Sequence, residues 1–118
     1  MKRIRLALAA LTIGGLLAVA PGQAALPKLV GTTGPGFTIT LKKSGTKVTK
    51  LKAGKYSLAV NDLSKEHNFH LTGAGVNKKT IVGTTGKTTW TVTFQKGKTY
   101  RFVCDPHAST MKGSFKAI

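Results

Sequence analysis

Four side chains in this sequence carry donor chemistry at a usable spacing. His67, Cys104, His107 and Met111 supply two imidazoles, one thiol and one thioether. Three of them fall between positions 104 and 111, so one loop can hold three sides of a metal ion. Cys104 is the sole cysteine, and Met111 is the sole methionine besides Met1. Two imidazoles and one thiolate, with a weak and distant thioether, form the ligand set of a one-electron copper site. Thiolate and thioether favour Cu(I), whereas imidazole accepts both oxidation states. A site between the two preferred geometries needs little rearrangement when an electron arrives or leaves.

Each residue taken alone has a plainer reading. A lone cysteine is usually a buried small hydrophobe, and a lone methionine is usually core filler. The set in register is what points to metal. Zinc is the nearest rival, through a tetrahedral His67, His70, Cys104 and His107 set. Residues 67 and 70 differ by an odd offset, so on a strand their side chains leave opposite faces. His70 is therefore expected on the outer face. Nucleophilic catalysis by Cys104 would need an oriented base and an oxyanion hole. No Gly-rich oxyanion turn stands beside Cys104, and three histidines are too few for the added clusters of a copper oxidase. The chain is expected not to be an enzyme.

The elements that position these residues are strands. Helical periodicity is absent after the first two dozen residues, and short alternations rich in Val, Ile, Thr and aromatics replace it. Phe37, Ile39 and Leu41 share one parity. Tyr56, Leu58 and Val60 form a second set, and His67, Phe69 and Leu71 a third. Trp90, Val92 and Phe94, then Tyr100, Phe102 and Cys104, then Met111, Gly113, Phe115 and Ala117 complete the series. A weaker run covers Thr46 to Leu51. Turns are marked at Ser44-Gly45, Ala53-Gly54, Gly73-Ala74-Gly75, Gly83 to Gly86 and Lys96-Gly97. Six or seven short strands so closely spaced predict an all-β, antiparallel Greek-key sandwich or barrel. His67, Cys104 and Met111 then sit in register with inward-facing apolar sets. Most of the eight aromatics belong in the core.

The 118 residues bound the chain to one small domain. Lys2, Arg3 and Arg5 followed by an apolar run, Leu6 to Ala20, read as a secretion signal. Gly22-Gln23-Ala24 fits a small-x-Ala cleavage site. The expected organisation is a cleaved signal at 1–24, a flexible lead-in at 25–36 and the domain proper at 37–118. The apolar run is too short to span a bilayer comfortably, so no transmembrane anchor is expected. An exported chain with a single cysteine has no internal disulfide, which leaves that thiol buried or on a metal.

The formal net charge is +16. Without the leader, sixteen basic side chains face only Asp62, Glu66 and Asp105. Such a field draws an acidic partner or a polyanion. Fifteen of the sixteen are lysine, whereas base and phosphate recognition favours the arginine fork, so specific nucleic-acid binding is not expected. The plain role of these lysines is to keep strand edges soluble and unpaired.

The segment from Tyr100 to Gly113, with Cys104, Pro106, His107 and Met111, resembles the ligand loop of small blue copper proteins of the plastocyanin, pseudoazurin and amicyanin type, the cupredoxins. His67-Asn68-Phe69 resembles their first-ligand motif. The resemblance runs from about Phe37 to Ile118. It implies that His67, Cys104 and His107 hold one type 1 copper ion and that Met111 is the axial thioether. It implies that Asn68 ties the two ligand loops together and that its N–H faces the thiolate. Pro106, with no N–H, has no hydrogen bond to offer the sulfur. Two features depart from the pattern. Three residues separate His107 from Met111, where plastocyanin-type loops have four and amicyanin-type loops two. Asp105 stands where Ser or Thr is usual, placing a carboxylate beside the thiolate and within reach of Asn68.

The resulting expectation is a periplasmic or extracellular monomer that carries single electrons between redox proteins, with His107 as the conducting edge. Acidic redox partners, or an anionic envelope polymer, would be steered by lysines such as Lys65 and Lys112. The alternatives are a copper-delivery protein and a cationic surface-binding sandwich whose motifs are merely structural.

Overall fold

Alternation becomes strand wherever one face of a segment can be buried. The computed structural model describes residues 25–118, so the leader read at 1–24 lies outside the described residues. The strands are β1 (Lys28–Thr33), β2 (Ile39–Lys43), β3 (Thr46–Lys47), β4 (Lys50–Leu51) and β5 (Gly54–Asp62), followed by β6 (His70–Gly73), β7 (Val76–Lys79), β8 (Gly86–Phe94), β9 (Thr99–Val103) and β10 (Lys112–Ala117). One sheet has the order β3-β2-β1-β5-β8 and the other β4-β10-β9-β6-β7. The chain changes sheets repeatedly, between β3 and β4, β4 and β5, β5 and β6, β7 and β8, and β8 and β9. Most pairs are antiparallel, as expected. Two are parallel, β1 with β5 and β4 with β10, because the chain visits the other sheet between the paired strands.

The inner faces meet in one core. Strand β5 shows the pattern most clearly, with Tyr56, Leu58 and Val60 buried in alternation. Six of the eight aromatics are buried there: Tyr56, Phe69, Phe94, Tyr100, Phe102 and Phe115. The Phe69 and Phe102 rings stack with centroids 5.8 Å apart, and Trp90 packs against the same cluster.

The stretch 25–36 is a correction to the sequence reading. Half of it is strand β1, at the centre of its sheet between β2 and β5, and not a flexible lead-in. Gly31 disguises it. A Cβ at that position would stand 2.7 Å from Phe69 Cζ, so the ring occupies the space a side chain would take. The Thr-Thr-Gly-Pro-Gly sequence that follows looks like a loop from end to end, yet Thr32 and Thr33 pair with Asn61 and Asp62. Strand β7 carries no sequence signal either, because Val76 is buried while Asn77, Lys78 and Lys79 are exposed, the signature of an edge without alternation. The weak run at 46–51 divides into β3 and β4 around the buried Val48.

The two ends of the sandwich differ. One end gathers the loops 34–38, 63–69, 80–85 and 104–111. Leu63 N–H donates to Thr33 O at 3.0 Å, Gly83 N–H to Lys65 O at 2.8 Å, and Thr80 N–H to Phe69 O at 3.0 Å. The other end is closed by short turns near residues 44–45, 52–53, 74–75 and 95–98. There Ala53 N–H donates to Ile118 O, Gly97 N–H to Ala117 O and Ile118 N–H to Leu51 O, each at 2.8 Å. Among the described residues no helix is long and apolar enough to cross a membrane.

Candidate metal centre

Cys104 ends the inward series of β9 and is fully buried. Immediately after it, Asp105–His107 forms a single 3-10 turn with Pro106 in its first positions. Proline fixes its own backbone there and leaves no N–H to satisfy. His107 N–H donates to Cys104 O at 3.0 Å, and Met111 N–H donates to His107 O at 2.8 Å. Cys104 N–H in turn donates to Met111 O at 3.0 Å, which closes the loop at the mouth of the β9–β10 hairpin. The turn swings the His107 side chain back over the cysteine.

His67 comes from the opposite side. It was expected on a strand, but β6 begins only at His70, so His67 lies in the loop that crosses from β5. His67, Phe69 and Leu71 are buried as their parity predicts, but Asn68 between them is buried too, so the alternation is not strict in this loop. Side chains replace the missing ladder bonds. Phe69 N–H donates to Thr80 Oγ1 at 2.8 Å.

The three donor atoms converge. His67 Nδ1 and His107 Nδ1 lie 3.1 Å apart, and Cys104 Sγ lies 3.7 Å and 3.6 Å from them. A point at the centre of that triangle is about 2 Å from each donor, which is the length of a metal–nitrogen or short metal–sulfur bond. Three donor atoms thus face one point in a largely buried setting. A metal ion fits at that point, and the soft sulfur with two imidazoles fits copper. This is the one such cluster of His, Cys and acidic side chains among the described residues. Met111 is buried at the same loop, tied by its backbone to both Cys104 and His107.

His70 is not in the cluster. It hydrogen-bonds Asp105 Oδ1 at 2.8 Å through Nδ1 and Asn77 Oδ1 at 2.7 Å through Nε2. His70 opens strand β6 while His67 lies in the loop before it, so the opposite-face offset of one strand does not apply, and the bond from His70 to Asp105 gave no signal in the sequence.

Asn68 joins the two ligand-bearing loops. Its Nδ2 donates to Asp105 Oδ2 at 2.7 Å, and its Oδ1 accepts from Asp105 N–H at 2.7 Å. Burial pushes the Asp105 carboxyl up, but hydrogen bonds from His70 and Asn68 and the charges of His70 and Lys79 outweigh it, and hold the carboxyl below its ordinary value. The residue that departs from the expected Ser or Thr is therefore knitted into the frame.

Phe37 is a second correction. It was grouped with the inward residues Ile39 and Leu41, yet it stands in the bend before β2 and is 64% exposed. Its ring meets His107 edge-on at 5.0 Å between centroids and His67 at 5.5 Å. It caps the two imidazoles. Gly34, with φ +78°, brings this loop close enough that its Cβ would stand 3.1 Å from His67 Cδ2. His107 remains half-buried, and Leu63, Ile81 and Val82 add exposed apolar surface to the same end.

Comparison with known proteins agrees with this geometry. Residues 38–117 match the family of copper binding proteins described as plastocyanin/azurin. No curated protein sequence matches the chain. Among solved structures it resembles rusticyanin, described as a copper protein, with a TM-score of 0.58 and 18% identity over 77% of this chain and 76% of that one. A structure of reduced rusticyanin gives a TM-score of 0.57 and 21% identity over 77% and 78%. At such identity these two structures bear on the fold, while the family match covers most of the chain. The chain belongs to the plastocyanin/azurin family of copper-binding proteins.

Proposed function

We propose that this protein is an exported, non-enzymatic carrier of single electrons that holds one copper ion with His67, Cys104, His107 and Met111. The observation that carries the reading is the convergence of three donors in a buried pocket whose one half-buried member is His107. Bound copper supplies the Cu(I)/Cu(II) couple. Cys104 and His67 hold their donor atoms away from water, and His107 links the buried pocket to the surface. The Asn68–Asp105 bonds and the Asp105–His70 bond fix the two ligand loops against each other. A frame held this rigidly keeps the donors in place in both oxidation states, which suits electron transfer better than metal hand-over. The apolar rim of Phe37, Leu63, Ile81 and Val82 offers a docking surface around His107. No second cluster able to hold a partner metal occurs among the described residues, and His70 is already engaged by Asp105 and Asn77.

Electron exchange separates this reading from copper delivery. The copper-loaded protein should give a reversible one-electron wave and exchange electrons rapidly with a small redox protein, while a copper chelator removes its metal slowly. Ready loss of copper to an apo acceptor, combined with sluggish electron exchange, would show a delivery protein instead.

A further inference from the structure

All three acidic side chains of the described residues, Asp62, Glu66 and Asp105, lie at the end that carries His67 and Cys104. Lys65, Lys79, Lys87 and Lys112 share that end, so its charges nearly cancel. The opposite end is different. Lys28, Lys52, Lys55, Lys96, Lys98 and Lys116 are all exposed there, with no acidic side chain among them. The backbone bonds of the end turns bring their segments together. Ser57 N–H donates to Pro27 O at 3.0 Å and Ala117 N–H to Lys98 O at 2.9 Å, alongside the bonds linking Ala53 and Leu51 to Ile118. Lys116 pairs with Thr99 and with Lys50. The molecule is thus polarised along its strands, and the lysines are concentrated far beyond what edge protection requires.

We propose that this lysine end is a docking face for an anionic lipid bilayer, and that it holds the His107 end outward. A redox protein bound at the lysines would sit on the order of 25 Å from the ligand loops, the length of strand β5, so the face is misplaced for electron-transfer docking. Lysine is a compact, strongly hydrated point charge without the arginine fork, and suits a diffuse headgroup field. Arg101, the one arginine among the described residues, lies mid-strand on β9 and away from this end. The chain also enters the fold here, through Ala25 to Lys28. The exclusion of a redox protein at this face rests on the electron-carrier reading, whereas vesicle binding tests the lysine face by itself.

Vesicle sedimentation tests it. The purified copper-loaded protein should bind vesicles of phosphatidylcholine mixed with phosphatidylglycerol, and not vesicles of phosphatidylcholine alone. Binding should disappear as salt rises from about 0.01 M to about 0.15 M, where the Debye length falls to about 8 Å. The quadruple variant Lys52→Glu, Lys55→Glu, Lys96→Glu, Lys98→Glu should lose about a hundredfold or more in partitioning, since each surface lysine contributes about fivefold. The variant Lys65→Glu, Lys79→Glu, Lys87→Glu, Lys112→Glu changes the net charge equally and should lose less than about tenfold. Should the first variant fail to fold by circular dichroism, Lys→Gln at the same four positions should still weaken binding more than Lys→Gln at the other four. Equal losses from the two ends would overturn the proposal in favour of bulk charge. Salt-insensitive binding to phosphatidylcholine would overturn it in favour of the exposed apolar residues Phe37, Leu63, Ile81 and Val82. Absence of vesicle binding would also overturn it, and an acidic soluble protein captured through the same lysines would then be the partner.

Discussion

The two ends of this sandwich are built from the same strands but solve different problems. The lysine end closes with tight turns whose backbone groups bond one another, as Gly97 N–H to Ala117 O and Ile118 N–H to Leu51 O show. Its lysines are free in water, and side chains reach its turn backbone only through Tyr56, whose hydroxyl donates to Lys52 O, and Tyr100, whose hydroxyl accepts from Gln95 N–H and donates to Ala74 O. The end with the three donors closes with longer, irregular loops, and its backbone groups turn to side chains for partners, as Phe69 N–H to Thr80 Oγ1 and Asp105 N–H to Asn68 Oδ1 show. Buried polar groups of this kind are costly when unpaired, so the second end is stable only as a complete network. The difference teaches where sensitivity lies. Substitutions in the loops at the donor end should propagate, and those of the exposed lysines at the other end should not.

The largest effect should come from Asn68→Ala. Asn68 is buried, and its loss leaves Asp105 N–H and one carboxylate oxygen without their partner. Hydrogen bonds to a charged group and an unsatisfied donor together cost about 2–3 kcal/mol, which urea unfolding of the metal-free protein should register. The copper spectrum of the same variant should broaden or shift, because the two ligand loops lose their tie.

Acid should dissolve the same frame more gently. The Asp105 carboxyl is held below its ordinary value, so its ionised form is favoured in the folded chain. That stabilisation is present in full above the ordinary carboxylate range and fades as pH falls through the lowered folded-state value. The thermal midpoint of metal-free wild-type protein should therefore exceed that of Asp105→Asn at neutral pH, with the gap narrowing in acid. A gap that is constant with pH would mean the carboxylate charge plays no part.

The smallest effect belongs to the other end. Lys96→Ala should change stability by no more than about 0.5 kcal/mol, as expected for an exposed side chain away from any network. A larger loss in denaturant unfolding would blur the contrast between the ends.

What the sequence made legible follows the same division. Parity identified the buried faces of β5, β8, β9 and β10, because a regular strand with one buried face carries a strict period of two. The convergence of His67, Cys104 and His107 was readable because residue type and spacing survive in an irregular loop. Strand β1 was hidden because its Gly31 answers to the Phe69 ring, a contact between residues distant in sequence. The cap by Phe37 and the Asp105–His70 bond were hidden for the same reason. The gathering of all three acids at one end was equally invisible, since it depends on which turns share an end. Composition reports total charge and says nothing of its distribution.

Absorption spectroscopy during Cu(II) titration bears most directly on the central claim, that Cys104 with His67 and His107 forms a single copper centre. The metal-free wild-type protein should bind one Cu(II) per chain and develop intense visible colour from thiolate-to-copper charge transfer. His70→Ala should retain both the stoichiometry and the colour, and Cys104→Ser should abolish the colour. A colourless wild-type complex, or equal colour in Cys104→Ser, would contradict the account.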